Sequence, residues 1–148
     1  MHYVHVVYRC VECVCSVSLR SFLWFLLIMF TFGLQMSASL KPYVGYADGA
    51  SHSTHNLSLV AWTICALNGE LMSLQDICLG FSKNNITKYN TVIELLFDAI
   101  SHGISRIVII LETQLVVLQL NNVYSVRSPT MLRIFLRVYL LERYFDFI

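Results

Sequence analysis

Tyr43-Val44-Gly45-Tyr46-Ala47-Asp48-Gly49-Ala50 is an apolar strand that runs straight into one carboxylate, Asp48, followed by glycine. Val44 and Tyr46 alternate with small neighbours, the period of a half-buried strand. A strand that delivers an acid at its far end must offset the cost of desolvating that charge. Either a metal ion or a nucleic-acid phosphate site accounts for it, or Asp48-Gly49 is an ordinary hairpin turn.

Downstream, the polar run from Ser51 to Asn56 reads as a loop, and Ser58 to Leu67 returns as a strand around Trp62. Asn68-Gly69 fits a tight hairpin in which both positions take positive φ. Glu70 to Leu79 then completes three antiparallel strands, with Asp76 facing solvent and Cys65 and Cys78 as small core residues. A helix follows from about Asn85 to His102, because Ile86, Tyr89, Val92, Ile93, Leu96 and Ile100 recur at spacings of three and four. Gly103 supplies the left-handed residue that ends it. Arg106 to Leu111 is a continuous apolar run, the pattern of a central strand, with Glu112 at its end. Thr113 to Leu120 starts a short helix, and Ser128-Pro129 caps a last one whose Arg133, Arg137, Glu142 and Arg143 read as a solvated face.

The order is strand, strand, strand, helix, strand, helix, helix. On these residues the chain resembles the ribonuclease H type 1 domain, in the version found in plant retrotransposon and reverse-transcriptase polyproteins. The blocks that carry the likeness are Tyr46 to Ala50, Asn68 to Glu70, Lys83 to Tyr89 and Glu112 to Gln119, in the family's order and spacing. The resemblance spans residues 41–148 and implies an α/β ribonuclease H-like fold. It also implies a hydrolase that cuts the RNA strand of an RNA/DNA hybrid with two Mg2+ ions held by carboxylates. Asp48 corresponds to the first metal-binding acid and Glu112 to a later one. Asn84, Asn85 and Gln114 match polar positions that contact the hybrid through sugar and phosphate.

The chain departs from the family pattern at the second acid, where Lys88 stands. Two like unit charges ~4 Å apart repel by about 4 kcal/mol at an effective dielectric of ~20, and a divalent ion doubles that. Metal occupancy is therefore expected to fall, leaving either a weak hybrid nuclease or a non-catalytic nucleic-acid-binding remnant of a retroelement. Glu112 replaces an aspartate, and the family's fourth acid lies beyond a fifth strand, in a last helix that the sequence does not reach. An incomplete domain of this kind is expected to leave Arg106 to Leu111 with an open edge and to expose Phe145, Phe147 and Ile148.

Across its 148 residues the protein is 57% apolar and 13% charged, with a net charge of +1. So even a balance excludes a strongly basic nucleic-acid footprint, and any binding is expected to be modest and salt-sensitive. Much of the excess lies in residues 1–40, which read as a leader. There Phe22 to Leu34 is a nearly unbroken apolar run, shorter than the ~20 residues of a spanning helix. A signal-peptide core, a marginal membrane anchor, a buried apolar helix and a non-functional extension all fit it. The first two place the protein at a membrane or in the secretory pathway, the others inside the cell. Cys10, Cys13 and Cys15 are spaced for a soft metal but lack a second pair. The sequons at Asn56 and Asn85 matter only in the secretory pathway.

Overall fold

The computed structural model of the chain describes residues 7–10, 42–52 and 57–146. Strand β1 (Val7–Cys10) comes first, followed by β2 (Tyr43–His52), β3 (Leu57–Cys65) and β4 (Leu71–Gly80). Helix α1 (Asn84–Ser101), strand β5 (Ile107–Leu111) and helices α2 (Gln114–Leu120) and α3 (Pro129–Glu142) complete the order. The sheet runs β1-β5-β2-β3-β4. Strands β2, β3 and β4 are antiparallel neighbours, whereas β5 runs parallel to β2 and β1 runs parallel to β5. Three antiparallel strands followed by helix, strand and helices is the order expected from the sequence.

Alternation in the strands gives the sheet two unlike faces. Ala47, Val60, Trp62, Ile64, Ile107, Ile109 and Leu111 point to one side and are buried under α1, whose Tyr89, Val92, Ile93, Leu95, Leu96 and Ala99 meet them. Trp62 adds a polar tie, its Nε1 donating to Asp98 Oδ2 at 2.8 Å. The other side keeps Tyr46, Leu59 and Leu74 exposed at 47%, 54% and 68%.

The helix ends follow local chemistry. At α1 the Gly103 N–H reaches the Ile100 carbonyl and the Ile104 N–H reaches Ala99, a Schellman pair that needs the φ of +69° at Gly103. Asn122, at φ +59°, closes α2 in the same way, with Asn122 donating to Gln119 and Val123 to Leu118.

Several expectations are corrected. The β3–β4 hairpin has a positive φ at Gly69 only. Gly69 N–H bonds to Ala66 O and Ala66 N–H to Glu70 O, a three-residue loop with a glycine bulge instead of a two-residue turn. Cys78 is exposed and Cys65 half-buried, and both lie on the side of the sheet opposite α1. Glu142 is buried, not solvated, and so is Phe145, which joins the core while Asp146 N–H ties to Ser105 O at 2.7 Å. Strand β5 has no open edge on its far side: Val7–Cys10, from the expected leader, pairs with Val108 to Leu111 there. Phe147, Ile148, Cys13, Cys15, Asn56 and the apolar run 22–34 lie outside the described residues. Among the described residues no helix is long and apolar enough to cross a membrane.

Candidate functional site

The site begins with the missing side chain at Gly49. A Cβ there would lie 2.5 Å from Thr91 Oγ1, 3.1 Å from Thr87 O and 3.2 Å from Lys88 N. Only glycine lets α1 seat its backbone this close to β2. Thr91 Oγ1 lies 2.9 Å from Thr87 O and 3.4 Å from Asp48 O, so the helix is braced on the strand at the residue that carries the carboxylate.

The parallel pairing of β2 with β5 sets the second acid. Ala47 is opposite Leu111, so the next residue on each strand, Asp48 and Glu112, emerges side by side at the same end of the sheet. Lys88 comes down from α1 to the same place. One narrow crevice is lined by Ala47, Asp48, Gly49, Lys88, Leu111, Glu112, Thr113 and Val116. Asp48 and Glu112 are exposed and Lys88 is half-buried. Lys88 Nζ donates to Thr113 Oγ1, at the residue that precedes α2.

This donor set can be tested against the magnesium pair that the resemblance implies. Mg2+ takes oxygen ligands in a strict octahedron. Two carboxylates with an ammonium beside them offer oxygens for one hard cation, not two. No further carboxylate, histidine or cysteine joins them among the described residues. The residues present do not fit a two-ion centre.

Asn84 and Asn85 open the first turn of α1, exposed, one turn ahead of Lys88. They line a neighbouring hollow of about 700 Å3 with Phe81, Lys83, Ser128 and Thr130. The N-termini of α1 and α3 both meet this hollow, and neither has an acidic residue in its first turn or a side-chain cap bond. Unfilled backbone N–H groups and the positive ends of two helix dipoles favour an anion there. Gln114, the exposed first residue of α2, lines neither concavity.

The structure therefore gathers Asp48, Lys88 and Glu112, sets Asn84 and Asn85 next to them, and leaves Gln114 on the rim of α2. Sequence reasoning missed Thr113, the partner of Lys88, and Thr130 and Lys83 in the hollow. Thr113 directly follows Glu112, and that adjacency was the available signal.

No family model matches the chain, and comparison with curated proteins finds no match. Solved structures do match. Ribonuclease H1 from the halophilic archaeon Halobacterium salinarum is 27% identical, with a TM-score of 0.68 over 71% of this chain and 80% of that one. The LC11 ribonuclease H1, solved with an RNA/DNA hybrid, is 21% identical, with a TM-score of 0.65 over 68% of this chain and 76% of its own. A foamy viral protease-reverse transcriptase bound to double-stranded DNA reaches 0.56 at 14% identity, over 77% and 84% of the two chains. With Asp48 and Glu112 paired at the end of a mixed sheet and α1 seated on Gly49, the chain is an α/β domain of the ribonuclease H-like fold.

Proposed function

We propose that this chain is a ribonuclease H-type nucleic-acid-binding domain, an RNA/DNA hybrid endoribonuclease by descent whose cleavage is impaired. The observation that carries the reading is the crevice in which Asp48 and Glu112 sit side by side with Lys88. The carboxylates stand where the resemblance implies metal ligands, and the ammonium stands in place of another. In this reading Asp48 and Glu112 are the remaining ligands for Mg2+, and Asn84, Asn85 and Gln114 contact the sugar and phosphate of the hybrid. The two uncapped helix N-termini beside Asn84 and Asn85 support phosphate binding. A net charge of +1 keeps the affinity modest and dependent on salt.

The second reading is a non-catalytic, retroelement-derived binding module. It is favoured by the bond from Lys88 to Thr113, which fixes a cation where a phosphate would welcome it and a metal would not.

Fluorescence anisotropy of the full chain with a labelled RNA/DNA hybrid, alongside double-stranded DNA and single-stranded RNA, tests the binding. The expected result is preference for the hybrid, weakening as salt rises. Equal indifference to all three at low salt would sink both readings. Incubation of the same hybrid in Mg2+ separates them, since slow cleavage marks the first and none the second.

A further inference from the structure

Helices α1 and α3 lie side by side and run in the same direction. Their first turns share the hollow of Asn85, Ile86, Ser128 and Thr130. At their C-terminal ends they share a groove of about 610 Å3 lined by Phe97, Arg137, Leu140, Leu141, Arg143 and Tyr144. The helical period joins the two concavities. Ile86, Asn90 and Phe97 on α1, and Thr130, Arg133, Arg137 and Leu141 on α3, recur at spacings of three, four and seven, so each set forms one stripe along its helix. A seam therefore leads from the hollow beside Asn84 and Asn85 to the groove, about 18 Å further along α1.

The groove is basic. Arg137 and Arg143 are exposed, as is Arg133 between the two concavities, and none of the three meets a carboxylate among the described residues. Glu142, the one acid of α3, is buried. Glu94, one turn ahead of Phe97, is half-buried and lines neither concavity. Cations left without counter-ions in a concave surface favour an anionic ligand.

The groove also offers ring faces, with Phe97 46% and Tyr144 70% exposed above Leu140 and Leu141. Phosphate charge and flat apolar bases come together in a nucleic-acid strand, whose bases stack on such rings. A duplex keeps its base faces inside its own stack, and an acidic peptide matches the charge alone, so the rings select a single strand. From Arg133 to Arg143 the helix rises about 15 Å, the length of about four nucleotides at ~3.4 Å each.

We propose that the groove at the C-terminal ends of α1 and α3 is a single-strand nucleic-acid site, in which Arg137 and Arg143 hold phosphates and bases stack on Phe97 and Tyr144. It rests on the reading of the chain as a nucleic-acid-binding domain and adds the form of the substrate, a hybrid that continues as a single strand led along the seam past Arg133. None of these residues lines the crevice of Asp48, Lys88 and Glu112, so the groove adds affinity and takes no part in cleavage.

Fluorescence anisotropy of the full chain tests it by comparing a blunt RNA/DNA hybrid with the same hybrid carrying a single-stranded RNA tail of about ten nucleotides. The tail is expected to tighten binding about fivefold or more. Tyr144→Ala, which removes an exposed ring and no charge, is expected to erase most of that gain, and so is Arg137→Gln combined with Arg143→Gln. A gain that survives Tyr144→Ala and falls only with the arginines overturns the proposal, since charge alone then accounts for it. A tail that adds nothing to a hybrid that does bind overturns it too and leaves the proposed function standing. Single-stranded RNA that binds through Tyr144 where the blunt hybrid does not bind supports the groove and sinks the hybrid reading, and binding of neither sinks both. Poly-glutamate that displaces the tail as well as free single-stranded RNA of equal charge overturns the proposal in favour of an acidic peptide.

Discussion

Lys88 on α1 donates from Nζ to Oγ1 of Thr113, so a positive charge is held in the crevice shared by Asp48 and Glu112. The bond joins the first helix to the start of the second, across the sheet end. It gives the ammonium a hydroxyl partner beside the two carboxylates that line the crevice.

Replacing Lys88 should therefore change binding and chemistry in opposite directions. Lys88→Glu in the full chain is expected to weaken hybrid binding and to lower the slope of log affinity against log salt by about one. It is also expected to raise Mg2+-dependent cleavage of the hybrid above the parent, because a third oxygen ligand joins Asp48 and Glu112. Asp48→Asn added to that variant should remove the gain. A Lys88→Glu protein that cuts no better than the parent would place the defect elsewhere.

Gly49→Ala is expected to cost about 1–3 kcal/mol, the usual range for forcing atoms into a packed contact. The added Cβ would meet Thr91 Oγ1 at 2.5 Å, which a Thr91→Ala change relieves. It would also meet Thr87 O at 3.1 Å and Lys88 N at 3.2 Å, and backbone cannot retreat without moving α1. The double variant should thus recover only part of the loss in urea unfolding.

Trp62 and Asp98 offer a cleaner test of a single hydrogen bond. Trp62→Phe leaves the Oδ2 of Asp98 without its indole donor, at a cost of about 1–3 kcal/mol including lost packing. Asp98 Oδ1 keeps His102 Nδ1 at 3.2 Å, so the carboxylate is not stranded. Asp98→Asn retains an oxygen for the indole and should cost less than Trp62→Phe in the same thermal unfolding assay.

What could be read from the sequence was whatever depends on local period. Helix α1 was expected from Asn85 to His102 and runs Asn84–Ser101, because its apolar spacing and Gly103 are both local signals. β5, α2 and α3 were placed as closely for the same reason. Asp48 and Glu112 were read as strand-end acids, but their lateral pairing depends on the register of β2 against β5. The burial of Phe145 and Glu142 depends on where α3 docks, and nothing in the adjacent residues encodes that. The pairing of β1 was the least legible. Four residues with no clean alternation join a strand about a hundred positions away, and only the finished sheet offers them an edge.

Tyr89 links the core to pH. Its ring is fully buried and its hydroxyl donates to Gln119 Oε1 at 2.9 Å, which bridges α1 and α2. Burial disfavours the phenolate and pushes the pKa up from 10.0 to about 12. A raised pKa of an acid means that the folded chain keeps its proton while the unfolded chain has lost it. The contribution of Tyr89 to stability is thus whole below pH 10 and is lost as pH rises from 10 towards about 12. Unfolding by urea, followed from pH 8 to 12, is expected to show a steepening loss in this window, of the order of 2 kcal/mol from this group. Tyr89→Phe should begin about 1 kcal/mol less stable at pH 8, since the bond to Gln119 is gone, and should then decline less steeply above pH 10. Parallel curves for the two proteins through that window would show that Tyr89 does not titrate with unfolding.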